Sequence, residues 1–189
     1  MAISADGQYI AVGGGDEKVY IFNRSSSTPL WNYTTGDWVS SVAISADGQY
    51  IAAGSLDNKV YVFNRSSSTP LWNYTTGDKV FSVAISADGQ YIAAGSWDNK
   101  VYEFNRSSST PLWSYTTRFY VTSVAISADG QYIAAGSVDD KVYVFDNDLP
   151  NASTSAISGY LLIISVPIGI ITMVTLGLFY RKKKICLKH

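Results

Sequence analysis

The chain has 189 residues, 47% of them hydrophobic and 15% charged, with fourteen tyrosines and five tryptophans. That composition excludes a disordered chain and suffices for one domain with an appendage. A single cysteine, Cys186, excludes an intrachain disulfide, and a single histidine, His189, excludes a His-activated nucleophile and any multi-histidine metal site.

The charge is unevenly placed. All fifteen acidic residues precede Leu149, together with nine basic ones, so this part carries a net charge of −6. The tail holds Arg181, Lys182, Lys183, Lys184 and Lys188 and no acid. An acidic body on a basic tail gives no reason to expect a nucleic-acid partner.

The nonapeptide ISADGQYIA begins at Ile3 and again at Ile44, Ile85 and Ile126, a spacing of 41 residues. A period of that length is expected of propeller blades with four strands each. In the unit from Val39, residues 40–45 alternate apolar and small side chains and read as an inner strand. Ala46-Asp47-Gly48 follows as a hairpin turn, Gly48 supplying a positive φ and Asp47 a bond to its own backbone. Residues 49–55 are the second strand, whose Ala52, Ala53 and Gly54 are small enough for neighbouring sheets to approach closely. Leu56-Asp57-Asn58 turns the chain into a third strand over 59–64. There Val60 and Val62 share one face and Tyr61 and Phe63 the other. Both faces are apolar, so both need covering, as in a sheet held between two others. After a polar loop, Pro70 starts the outermost strand, where a missing N–H is tolerated.

These residues carry a resemblance. The series V-x-S-V-A-I-S-A-D-G-x-Y-I-A-x-G-S-x-D-x-K-V-Y-x-F resembles the WD40 repeat, and P-L-W-x-Y-x-T is similar to the outer strand of quinoprotein-like propellers, over roughly residues 1–146. The WD40 Gly-His is replaced by Gly36-Asp37 and Gly77-Asp78, and its Trp-Asp by Phe22-Asn23, Phe63-Asn64 and Phe104-Asn105. The buried His–Asp network of that family therefore cannot form. Asp16, Asp57, Asp98 and Asp139 match its turn aspartate and read as structural turn residues. The fold expected is an all-β propeller over 1–148, with blades at about 1–38, 39–79, 80–120 and 121–148.

The count is awkward. The fourth unit stops after Asp146 with no outer strand of the P-L-W type, and Ala2-Ile3 is already the end of an inner strand. Either the chain is a piece of a longer gene product or two chains combine into a larger ring; of these the piece is preferred.

Residues 149–156 read as a linker, and residues 157–180 form an uncharged, largely apolar run of 24 positions. As a helix this run is about 36 Å long, enough to span a hydrocarbon core of about 30 Å. Tyr160 and Tyr180 sit where interfacial aromatics belong, and Arg181–Lys184 is a stop that stays in the cytoplasm. The expected topology is a single-pass cell-membrane protein with the propeller outside and a basic cytoplasmic tail over 181–189. A propeller carried on such an anchor resembles prokaryotic, archaeal-type surface proteins. No secretory leader follows Met1, which suits the alternative of a tail-anchored scaffold facing the cytosol. Sequons at Asn23, Asn32, Asn64, Asn73, Asn105 and Asn151 agree with an outside location, five of the six being multiplied by the repeat.

Among near-identical copies the differences are informative. Before the inner strand, Trp38, Lys79 and Tyr120 are equivalent, as are Ser40, Phe81 and Thr122 two residues later. In the second-to-third-strand turn the variable position reads Gly15, Leu56, Trp97 and Val138. The WD40-like arrangement implies that these loops share one face. The expected binding set is therefore Trp38, Lys79, Tyr120, Phe81, Leu56 and Trp97, with a protein or glycan partner. No cofactor, metal ligand or catalytic set is expected. The runner-up is a quinoprotein-like enzyme or assembly subunit, which needs a cofactor cage that the repetitive turn acids do not supply.

Overall fold

The computed structural model describes residues 1–147 together with the backbone of 155–158 and 161–162. It contains four antiparallel sheets in chain order, three of four strands and one of five. The first is β1 (Ala2–Ile3), β2 (Tyr9–Gly13), β3 (Lys18–Asn23) and β4 (Trp31–Thr34). The second is β5 (Val39–Ile44), β6 (Tyr50–Ser55), β7 (Lys59–Asn64) and β8 (Pro70–Thr75). The third is β9 (Val80–Ile85), β10 (Tyr91–Ser96), β11 (Lys100–Asn105) and β12 (Pro111–Thr116). The fourth is β13 (Val121–Ile126), β14 (Tyr132–Ser137), β15 (Lys141–Asp146), β16 (Ser155–Ser158) and β17 (Leu161–Leu162). Within each sheet, consecutive strands are neighbours, as in a propeller blade.

The local reasons are those the repeat suggests. Gly48 has φ +68°, and Asp47 Oδ1 accepts from the Gln49 N–H at 2.9 Å and the Ser45 hydroxyl at 2.6 Å. Gly54 is needed for close approach. A Cβ there would lie 2.7 Å from Val80 Cγ1 of the next sheet, and one at Gly95 2.6 Å from Val121 Cγ1.

Apolar side chains on both faces of each sheet build the core between sheets. Val19 and Ile21 of the first sheet meet Ile51, Tyr61 and Phe63 of the second. Val60 and Val62 of the second meet Ile92, Tyr102 and Phe104 of the third. Ala93 and Val101 of the third meet Ile133, Tyr143 and Phe145 of the fourth. Among the described residues no core cluster joins the fourth sheet to the first, so the four blades form an open row.

Two expectations change. The fourth unit has an outer strand after all: β16 pairs antiparallel with β15, Lys141 opposite Ser158 and Val142 opposite Ile157. Without it β15 would be left as an unpaired edge, which a following strand can cover. These strands also fall at 157, 158, 161 and 162, where the apolar helix was expected to begin, and at 155 and 156 of the expected linker. The remaining positions of that helix, the tail and Asn151 lie outside the described residues. Among the described residues no helix is long and apolar enough to cross a membrane.

Candidate functional site

The turn aspartates accept hydrogen bonds from the protein's own groups. Asp57 Oδ1 accepts from the Lys59 N–H at 3.0 Å, while Oδ2 accepts from the Tyr61 hydroxyl at 2.5 Å and from the Gly36 N–H of the preceding blade at 2.8 Å. Asp98 repeats all three bonds, with Lys100, Tyr102 and Gly77. Burial, and then the bond to Asp57, raises the Tyr61 phenol well above the usual range. Among the described residues no three His, Cys, Asp or Glu side chains come close enough to hold a metal ion together.

The sequon asparagines split into two groups. Asn23, Asn64 and Asn105 accept through Oδ1 from the N–H and hydroxyl of the serine two residues on, folding the loop before the outer strand. Asn32 and Asn73 lie exposed on β4 and β8.

The positions that differ between copies do share one end of the sheets. The Leu56 N–H donates to the Trp38 carbonyl, Trp97 to Lys79 and Val138 to Tyr120, each at 2.9 Å. Each turn is thereby fixed to the chain entering its own blade. The ring at the first of these positions reaches back over the preceding blade: Trp38 lies 3.9 Å from where a Gly15 Cβ would be. Tyr120 stacks on Trp97 in the same way, with ring centres 5.0 Å apart and planes 18° apart.

A third ring joins this pair. Between Gly95 and Ser96 the β9–β10 register shifts, leaving Phe81 as the extra residue of a bulge. Bulges re-aim side chains. Phe81 is turned flat onto Trp97, centres 4.4 Å apart and planes 2° apart. Its equivalents do something else. Ser40 bonds the Gly54 and Val80 carbonyls at 3.0 and 2.5 Å, and Thr122 bonds Gly136 O at 3.4 Å. The Lys79 ammonium lies 5.5 Å from the centre of the Trp97 ring.

The result is a three-ring stack, Phe81–Trp97–Tyr120, beside one cation. Tyr120 is 44% exposed and Trp38 58%, whereas Trp97 is half-buried between its neighbours and its indole N–H finds no acceptor. Buried donors rarely go unpaired, and this one is shielded from solvent. Of the six expected binding residues, Phe81, Trp97, Tyr120 and Lys79 come together. Trp38 sits on Gly15 at the first blade interface, two interfaces away, and Leu56 is half-buried.

A second feature was not anticipated. Glu103 stands where other copies have Ile21, Val62 and Val144, and only 1% of it is exposed. Asn147 stands where they have Arg24, Arg65 and Arg106. Asn147 Nδ2 donates to Glu103 Oε1 and, at 2.6 Å, to Gly130 O. The Trp113 indole donates to Asn147 Oδ1 at 3.3 Å, whereas Trp72 donates to the Arg106 carbonyl. These residues line a cavity of about 320 Å³ between the third and fourth blades. Comparing the copies along their third strands, and not only at their loops, would have exposed the Glu103–Asn147 pair.

No curated protein matches the chain. Residues 2–161 match the family model described as outer membrane protein assembly factor BamB. Four repeated antiparallel sheets with interdigitated faces are what a quinoprotein-like propeller requires, and the chain belongs to that family.

Proposed function

We propose that the protein is a non-catalytic binding propeller, displayed on the outer side of a cell membrane, that holds a protein partner on the Phe81–Trp97–Tyr120 stack. The observation that carries this reading is the stack itself. Three large rings occur together where other copies have Ser40 or Thr122 for Phe81, Gly15, Leu56 or Val138 for Trp97, and Trp38 or Lys79 for Tyr120. The fold does not require them, and a desolvated aromatic cluster flanked by a cation is what protein interfaces concentrate. The family description, an assembly factor, favours a protein partner over a glycan.

The membrane part rests on sequence. Even when β17 ends at Leu162, residues 163–180 leave 18 uncharged positions before Arg181. As a helix they reach about 27 Å, within the span of thinner bilayers.

The test is the combined change Phe81→Ser, Trp97→Ser and Tyr120→Ser. Ring pairs of this type are worth about 0.5–1.5 kcal/mol each, and the half-buried rings lose apolar burial as well, so the melting temperature should fall while the variant stays folded. Partner capture in a pull-down from the native membrane should disappear. Unfolding of the variant, or undiminished capture, would count against the reading, and inhibition of capture by free sugars would point to a glycan instead.

A further inference from the structure

The open row of blades ends in two different faces, and each is one half of an interface the molecule already contains three times. The leading face of a blade presents Tyr and Phe of its third strand. Tyr61, Phe63, Tyr102, Phe104, Tyr143 and Phe145 are all buried there, but the first blade's Tyr20 and Phe22 are only half-buried. The trailing face presents valines of the same strand. Val60 and Val62 are fully buried, whereas in the fourth blade Val142 is 43% exposed and Val144 half-buried.

The polar links between blades are cut at the same places. Ala5 N–H donates to Ala46 O, Ala46 to Ala87 and Ala87 to Ala128, each at 2.9 Å. Among the described residues the series ends with an unused carbonyl at Ala5 and an unused N–H at Ala128. Arg65 lies 3.7 Å over the Tyr9 ring of the preceding blade and Arg106 4.0 Å over Tyr50. Among the described residues Arg24 of the first blade has no ring beneath it, and Tyr132 of the fourth, 49% exposed, has no cation above it.

We propose that a second copy of this chain covers both ends, head to tail. The fourth blade of each copy receives the first blade of the other, with Ala128 N–H on Ala5 O, Arg24 over Tyr132, and Tyr20 and Phe22 against Val142 and Val144. The unmet groups named here are of complementary kind at the two ends, as expected for a heterologous contact between identical chains. Such contacts form a ring when the rotation closes. Propellers run from four to about eight blades, so two copies of four fit where three do not. The contact is independent of the aromatic stack.

The experiment uses the full chain in mild detergent, with Cys186→Ser as background. Sedimentation should give a protein mass of two chains. Ala5→Cys with Ala128→Cys should, on mild oxidation, give a reducible species of two chains. Ala46→Cys with Ala87→Cys, the same link inside one chain, should close without changing the mass. Val144→Asp should halve the sedimenting mass while leaving the far-ultraviolet circular dichroism unchanged. A wild-type mass of one chain, an open ladder of higher species, or a dimer that survives Val144→Asp with undiminished affinity would each overturn the proposal. Sedimentation decides should neither cysteine pair close.

Discussion

Replacing Phe63 by alanine is expected to destabilise the protein by about 3–5 kcal/mol, a large part of a typical domain's margin. The ring is fully buried, with its centre 5.3 Å from those of both Trp31 and Tyr33 of the preceding blade. Its removal leaves a cavity that rigid sheets cannot collapse to fill. Because each blade touches only its neighbours, the loss weakens the contact between the first two blades rather than spreading evenly. Urea unfolding followed by tryptophan fluorescence measures it, and a cost below about 1 kcal/mol would mean that the blades are not packed as described.

The second large effect concerns Glu103 and pH. Burial pushes its carboxyl up to about 7 from an ordinary value of 4.5, against the pull of donors at Trp113 and Asn147. The other titratable groups lining the same cavity are Tyr91 and Asp129. Between pH 4.5 and 7 the folded protein binds more protons at this site than the unfolded chain does. Stability is therefore highest below pH 4.5, as far as this group decides it, and falls as pH rises to 7. The loss is about 3 kcal/mol as an upper bound. Glu103→Gln should flatten that slope. Glu103→Val, which restores the residue of the second and fourth copies, should also flatten it and raise stability at pH 8, since buried charges are often replaced by apolar groups with a gain. Denaturant midpoints at pH 5 and pH 8 give the comparison. An unchanged slope in Glu103→Gln would show that the carboxyl is solvated in the folded state.

Much of this fold could be read from the letters because the repeat states the same local rule four times. The Asp47-Gly48 turn, the limits of β7, the start of β8 and the need for Gly54 follow from turn chemistry, period-2 alternation and size. The site was half legible. Comparing copies picked out Phe81, Trp97 and Tyr120, but their stacking depends on a bulge that no residue spacing announces. Glu103 and Asn147 escaped notice because they meet across two blades, 44 residues apart, in a register set only by packing. Arg65 falls in the polar loop before Pro70, and no local rule places it over Tyr9 of the preceding blade. The outer strand of the fourth blade was hidden by a sequence unlike P-L-W-x-Y-x-T, since edge pairing asks little of side chains.

The central claim is that the partner binds where the copies differ. It is tested most directly by placing a photo-crosslinking phenylalanine analogue at Tyr120 and, separately, at Leu71, which is 50% exposed on the outer strand β8. Irradiation in the native membrane should give a discrete protein adduct from position 120 and none from 71, and the adduct should vanish when Phe81 and Trp97 are changed to Ser. Adducts from 71 with none from 120 would contradict the account.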